Sequence, residues 1–141
     1  MKKIFISSDH AGYNLKKNII KKFSKKQKIV DLGPSSNNSV DYPAFAHKLS
    51  KKVATNKGSF GILICGSGIG MSIAANRDKN IRAGLAFKSE IAKLMREHND
   101  ANVLILPGRF MNIHDAIKCV RNFLTTNFEG KRHQNRVNKL S

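Results

Sequence analysis

The chain has 141 residues, 40% of them hydrophobic, which suits one domain with its own core. Its 26 Lys and Arg residues against 9 Asp and Glu residues give a net charge of +17, but the absence of aromatic residues among the lysines argues against a nucleic-acid partner. No apolar run approaches a membrane span or a signal-peptide core, so we expect no membrane partner, a cytoplasmic location and reduced cysteines at Cys65 and Cys119.

The first predicted unit is a buried strand over residues 3–7, a polar turn and an amphipathic helix. Leu15, Ile19, Ile20 and Phe23 recur at helical spacing on the apolar face of this helix. Six lysines are expected on its opposite, solvated face: Lys16, Lys17, Lys21, Lys22, Lys25 and Lys26. Such a basic surface would steer a small anionic substrate toward a cleft.

The next segment predicts a strand over residues 28–32, a loop over 33–42 and a helix. Pro43 can occupy the first position of this helix, and the residues expected on its inner face are Phe45, Leu49 and Val53. The apolar run that follows, residues 60–65, is short and rich in β-branched residues. We therefore predict a parallel strand buried on both faces.

The second half of the chain continues this alternation. It predicts strands over residues 82–87 and 102–106, helices over 89–100 and 112–127, and a terminal helix over 132–140. Ser89 is the expected N-cap of the first of these helices. The positions expected to face the core are Ile91, Leu94, Met95, Ile113, Ile117, Val120 and Leu124.

This order of elements predicts the fold class. Five strands alternating with helices indicate an α/β protein with a single doubly wound, five-stranded parallel sheet, Rossmann-like, with helices on both faces and a C-terminal helical extension. We expect residues 1–141 to form one domain.

A glycine-rich loop follows the third predicted strand, with the sequence Cys65-Gly-Ser-Gly-Ile-Gly70. Its G-x-G-x-G spacing matches neither the dinucleotide fingerprint nor a P-loop. Alternating glycines allow successive backbone N–H groups to converge at a helix start and bind an anion. Cys65 beside such donors is a candidate nucleophile or base, and the alternative is an inert buried cysteine in a tight turn.

Polar residues follow three of the predicted strands. Asp9 and His10 follow the first, the glycine loop follows the third, and Arg109 follows the fifth. In doubly wound sheets, ligands bind at the carboxyl ends of the strands beside the topological switch point. The three groups should therefore share one edge of the sheet.

Several further residues have two interpretations. His10 or His98 would suit a partner for the thiol, but His98 could equally cap a helix and His10 could belong to a turn held by Asp9. Arg132 and Arg136 share one helix face and could bind phosphate, or they are surface charges in a basic chain. No metal site is predicted, because no ligand-type neighbours are evident at metal spacing around His47, His114 and His133.

Several motifs together resemble the ribose-5-phosphate isomerase B family and its relatives that act on galactose 6-phosphate or allose 6-phosphate. The resemblance spans nearly the whole chain, in order. It rests on Ser8-Asp9-His10-Ala11-Gly12, Asp41-Tyr42-Pro43, the loop and helix from Cys65 to Asn76, Glu97-His98-Asn99-Asp100-Ala-Asn102, Gly108-Arg109, and Glu129-Gly130-Lys-Arg132-His-Gln-Asn-Arg136-Val137.

The resemblance implies an aldose–ketose isomerase that works through an enediolate without a metal or organic cofactor. It implies that Cys65 shuttles the proton and that His98 opens the furanose ring. The groups implied to stabilise the enediolate oxygen are the backbone donors of Gly66, Ser67, Gly68, Ile69 and Gly70. The other implied roles are phosphate binding by Arg132 and Arg136 with His10 and Arg109 nearby, hydroxyl binding by Asp9 and Asn99, and lining of the site by Tyr42.

Two positions vary within this family. Some members lack the cysteine and use a glutamate where this chain has Met71, so the resemblance implies the cysteine-dependent branch. Ser67 stands where threonine is common and keeps the hydroxyl. The resemblance also implies a homodimer, which could pair into a dimer of dimers, with a sugar phosphate as the small-molecule partner. The alternatives are an isomerase of a six-carbon sugar phosphate and, in a different class, a sugar-phosphate-binding module without turnover.

Overall fold

In the computed structural model, residues 2–141 are described, and within them five strands alternate with helices before a terminal helix. The strands are β1 (Lys3–Ser8), β2 (Lys28–Asp31), β3 (Phe60–Cys65), β4 (Ala83–Leu85) and β5 (Val103–Pro107). The helices are α1 (Tyr13–Phe23), α2 (Tyr42–Thr55), α3 (Ile69–Ala75), α4 (Ser89–Asn99), α5 (Ile113–Thr125) and α6 (Arg132–Asn138). None of the helices in this described part is long and apolar enough to cross a membrane.

The strands form one parallel sheet in the order β2-β1-β3-β5-β4. The predicted doubly wound α/β fold is therefore confirmed. From β1 the chain moves outward to β2 and then returns to the other side of β1 to form β3. The topological switch point thus lies between β1 and β3, and a crevice is expected at their carboxyl ends.

Two apolar layers cover the sheet. Ile4 and Ile6 of β1 point to the layer that contains residues of α1, α4 and α5, whereas Phe5 points to the layer of α2 and α3. β3 alternates in the same way, with Ile64 in the first layer and Cys65 in the second. Period-two alternation therefore directs the thiol toward the α2–α3 side.

Lys16 departs from the predicted solvated face of α1. Its side chain is fully buried, and Nζ donates hydrogen bonds to Oδ1 of Asp31 at 2.8 Å and to the carbonyl of Pro34. The last residue of β2 and the loop that follows it supply the two acceptors, which compensate the burial of the charge. The remaining lysines of this set are exposed, as expected.

Three details of the predicted helices are wrong. Lys88, not Ser89, occupies the N-cap of α4, and no side chain caps that end. Leu94 and Ile113 are exposed, because Ala92 and Ala116 take the inner positions of their helices and let the backbone approach the sheet closely. Small residues fill inner positions that a search for large apolar residues overlooks.

The edge strand β4 is shorter than the predicted 82–87. Two asparagine side chains bond the backbone at its start: Oδ1 of Asn76 accepts from the amide of Ala83, and Oδ1 of Asn102 accepts from the amide of Arg82. Both bonds measure 2.8 Å. The Asn76 side chain therefore takes the place of a neighbour strand on the open side of β4, whereas Asn102, just before β5, extends the pairing with that strand. Helix α2 begins at Tyr42, which places Pro43 at its second position instead of its first.

Candidate active site

The loop between β3 and α3 brings the Cys65 thiol to the start of a helix. Gly68 has φ 78°, a left-handed conformation that a side chain would strain, and it forms the N-cap of α3. This turn directs the Gly68 amide at Sγ of Cys65, at a distance of 3.2 Å. Cys65 is 5% exposed, so the thiol is buried beneath this loop.

The loop after Cys65 carries further amide donors. The amide of Ile69 donates to Oγ of Ser67 at 3.2 Å. The amides of Ser67 and Gly70 donate to no acceptor within residues 2–141. Free amides at a helix start carry partial positive charge, so this loop suits a developing oxyanion.

The ends of β1 and β5 bring two more charged side chains to this loop. The amide of Asp9 donates to the carbonyl of Ile64 at 3.0 Å, and Oδ1 of Asp9 accepts from the amide of Gly12 at 3.1 Å. The amide of Arg109 donates to the carbonyl of Gly66 at 3.0 Å. The Arg109 side chain also lies against Gly66, where a Cβ atom would meet its Cδ at 3.2 Å.

Tyr42 and His10 complete this edge. Tyr42 lies so close to Gly70 that a Cβ on that glycine would be 2.5 Å from the phenol ring, so a larger residue there would displace the ring. Nδ1 of His10 accepts a hydrogen bond from the amide of Val40 at 3.3 Å. The bond orients the imidazole from the loop after β2 and leaves Nε2 available to a ligand. We call Asp9, His10, Tyr42, the loop of residues 65–70 and Arg109 the thiol group of residues.

His98 and Asn99 lie at the opposite end of the strands, at the edge of the sheet where the parallel strands begin. They end α4, and the chain enters the amino end of β5 only four residues after Asn99. The guanidinium of Arg96, in the same helix turn, lies 4.8 Å from the ring centroid of Phe60, the first residue of β3. Cys65 is the last residue of that strand, roughly 16 Å further along at about 3.3 Å per residue. One chain therefore does not bring His98 to its own thiol.

Arg132 and Arg136 lie on α6, at the same end of the sheet as His98. Helix α6 packs against α4, where the imidazoles of His98 and His133 are stacked at 4.3 Å between centroids and 15° between planes. The amide of Glu129 also donates to the carbonyl of Glu97 at 3.0 Å. Both arginines are exposed, and no carboxylate among residues 2–141 lies within 4.0 Å of them. We call His98, Asn99, Arg132 and Arg136 the arginine group.

The sequence shows no metal-ligand neighbours for His133 at a suitable spacing. The structure places two: ligand atoms of His98, Glu129 and His133 all lie within 4.8 Å of one another. However, stacked imidazoles direct their nitrogen lone pairs within two nearly parallel planes, so they do not converge on one tetrahedral ion. This geometry fits a ring stack better than a metal centre.

Two buried polar residues at these edges have no functional role predicted from the sequence. Oγ of Ser8 is buried beside Asp9 and has no hydrogen-bond partner within residues 2–141. Its polar side chain at the end of an apolar strand was the available signal. His133 is also buried, with an unpaired Nε2. No periodic pattern distinguishes it, since it lies among polar residues in a helix of only seven residues.

Comparison with known proteins finds one matching family model and relatives of similar length. The model of a family described as Ribose/Galactose Isomerase matches residues 4–140. A probable ribose-5-phosphate isomerase B of Mycoplasma pneumoniae is 45% identical over 139 residues, covering 97% of this chain and 91% of the relative.

Two solved structures are similar in fold and sequence. A ribose 5-phosphate isomerase from Thermotoga maritima has a TM-score of 0.96 and 45% identity, covering 99% of this chain and 97% of that one. Ribose-5-phosphate isomerase B from Mycoplasma genitalium, solved with bound ribulose-5-phosphate, has a TM-score of 0.94 and 45% identity, covering 98% and 93%. The resemblance identified from the motifs is confirmed.

Proposed function

Since the chain belongs to the ribose/galactose isomerase family, we propose that it interconverts ribose 5-phosphate and ribulose 5-phosphate through an enediolate. The observation that carries the proposal is the Cys65 thiol at a strand end, beside loop amides that have no acceptor within residues 2–141. A base and an oxyanion site are the two groups that this reaction needs. We further propose that residues 1–141 act as one cytoplasmic isomerase domain.

In this mechanism, the Cys65 thiolate removes the proton from C2 of the open-chain aldose. Electrons move into the carbonyl, and the amides of Ser67 and Gly70 stabilise the oxyanion of the enediolate. A proton then passes from the C2 hydroxyl to O1, which moves the negative charge to O2. As the C2 carbonyl forms, the thiol returns its proton to C1, which yields the ketose. Asp9 would contact substrate hydroxyls and Tyr42 would line the site, because both lie beside the loop.

We propose that a second copy of the chain completes each site. The thiol group and the arginine group lie at opposite edges of one sheet, so the phosphate ligands and His98 must come from a partner to meet Cys65. In a two-fold dimer, each chain supplies both halves reciprocally, giving two equal sites. Ile69 and Ile73, one turn apart on α3, are 57% and 55% exposed beside the thiol group and offer an apolar contact surface.

In such a site, the substrate would span the two chains. Arg132 and Arg136 of one chain would bind the phosphate, with His10 and Arg109 of the other chain nearby. His98 would protonate the ring oxygen of the furanose form and so open it. Asn99, exposed at the end of α4, would hold a hydroxyl. Whether dimers pair further can be measured by sedimentation.

Turnover assays with ribose 5-phosphate, allose 6-phosphate and galactose 6-phosphate test the proposed function. We expect the five-carbon substrate to have the highest kcat/KM. A preference for either six-carbon substrate would replace the proposal with the related isomerase activity. Binding of all three without turnover would instead indicate a sugar-phosphate-binding module.

Replacing Arg132 or Arg136 with alanine should weaken the binding of both sugar phosphates and inorganic phosphate. Each side chain would lose a charge-assisted hydrogen bond, so we expect a loss of about 1.5–3 kcal/mol in binding free energy. Arg121→Ala is the matched control, because Arg121 is an exposed arginine of α5 outside both groups. Calorimetric titration with phosphate measures the effect. Unchanged phosphate affinity in both site variants would mean that the two arginines are only surface charges.

Replacing His98 with asparagine should impair ring opening more than isomerisation. A ketopentose 5-phosphate has no free hydroxyl that can close a five-membered ring, so it is acyclic. We therefore expect the variant to lose about 10²–10⁴-fold in turnover of ribose 5-phosphate, the contribution of a general acid, and to keep more of its activity on ribulose 5-phosphate. Initial rates in both directions measure the difference. Equal losses would contradict the ring-opening role.

A further inference from the structure

His133 differs from its neighbours on α6. Arg132 and Arg136 are exposed, but His133 is 5% exposed and turns inward against α4. Its ring is stacked on His98 at 4.3 Å and 15°. Its Nε2 has no hydrogen-bond partner among residues 2–141, and the nearest carboxylate oxygen, of Glu129, is 3.6 Å away.

The stack is the contact that orients His98. No hydrogen bond to the His98 imidazole is formed within the described chain, and the residue is half-buried at the end of its helix. A side chain in that position would otherwise sample several rotamers. A flat ring packed face to face restricts it to orientations that keep the planes parallel.

The surroundings of the His133 ring also disfavour its protonated form. Burial lowers its pKa, and the positive charges of Arg132 and Arg136 and of a protonated His98 act in the same direction, against the opposing effect of Glu129. These are the charged groups that face the ring from α4, from the segment before α6 and from α6 itself. A lowered pKa favours the neutral form of the His133 imidazole that lies against His98.

We propose that His133 is a positioning residue for ring opening, whose imidazole holds the His98 ring in the orientation required to protonate the furanose oxygen. This role rests on the proposed function. His133 lies between Arg132 and Arg136 in sequence, and α6 packs against α4. The packed pair of helices would therefore hold both the phosphate and the His98 ring. Acid groups displaced by about 1 Å can lose on the order of 10²-fold in rate.

Two variants separate ring stacking from simple docking of α6. His133→Leu keeps an apolar side chain of moderate size but no flat ring, and His133→Phe keeps the flat ring without any titration. For the leucine variant, we expect turnover of ribose 5-phosphate to fall about 10–100-fold. Its consumption of acyclic ribulose 5-phosphate and its affinity for inorganic phosphate should stay within about twofold of wild type, because neither needs ring opening. The phenylalanine variant should recover most of the lost turnover.

Several results would overturn the positioning role. Equal losses on both substrates, or a phosphate affinity that falls with turnover, would mean that His133 only docks α6. Leucine and phenylalanine variants that behave alike would mean that the flat ring has no part in orienting His98.

A second measurement is independent of turnover. In NMR spectra of the wild-type protein, the ring current of His133 should shift the carbon-bound protons of His98. The shift should persist with phenylalanine and disappear with leucine, and its absence in wild type would contradict the stack. Because this readout needs no substrate, it distinguishes failure of the positioning role from failure of the proposed function, which would appear as a wild-type protein without isomerase activity.

Discussion

Replacing Cys65 with serine should remove most turnover and leave folding and substrate binding nearly unchanged. A hydroxyl is a far weaker acid than a thiol, so serine cannot supply the base that shuttles the proton, and a loss of about 10²–10⁴-fold is expected. The side chain changes by one atom, and the Gly68 amide that contacts Sγ at 3.2 Å can donate equally to a hydroxyl oxygen. KM should therefore change much less than kcat.

Cys119 provides the matched control. It is the second thiol of the chain, fully buried in α5, where burial first and then the nearby Asp115 and Glu90 raise its pKa to about 11. A thiol with that pKa stays protonated and lies in the core instead of the crevice. Cys119→Ser should lower the free energy of unfolding and keep turnover. Near-native turnover of Cys65→Ser would show that the base assignment is wrong, whatever the control does.

Mixing two inactive variants should restore activity if the site is shared between chains. Cys65→Ser removes the base from the thiol group, and His98→Asn removes the ring-opening acid from the arginine group at the opposite edge of the sheet. In a mixed two-fold dimer, one site carries both lesions and the other carries neither. With random pairing, about half of the dimers are mixed and half of their sites are intact, so roughly a quarter of native activity should return.

The experiment requires proof that subunits exchange, for example by mass spectrometry of differently tagged chains. Mixing Cys65→Ser with Arg109→Ala is a useful control, because both residues lie in the thiol group of the same chain and every site then keeps one lesion. If activity failed to return despite exchange, the shared site would be wrong. The isomerase assignment would remain, since it does not depend on which chain supplies His98.

The strands and the edge that carries the thiol were predictable from local sequence. Continuous β-branched runs such as residues 60–65 require burial on both faces, and the alternating glycines after Cys65 require a tight turn into a helix. Parallel order then brings the ends of β1, β3 and β5 to one edge whatever the details of packing. These relations depend on spacing along the chain, so one sequence suffices to state them.

The inward or outward direction of single side chains was less predictable. Lys16 is buried because the end of β2, 15 residues later, supplies the carboxylate of Asp31. Periodicity does not register such an interaction between two segments. Leu94 and Ile113 are exposed because alanines occupy the inner positions. Amphipathic patterns describe the average face of a helix, whereas packing against a particular sheet decides each side chain.

By itself, then, the sequence determined the family, the fold and the polar residues at strand ends, because motifs and hydrophobic period act locally. Only the tertiary structure decided which of those residues meet. It separates His98 and Arg132 from Cys65 by the length of a strand, because a helix that follows a strand returns the chain to the amino edge of the sheet. It also stacks His133 on His98, since two short helix ends distant in sequence pack together there.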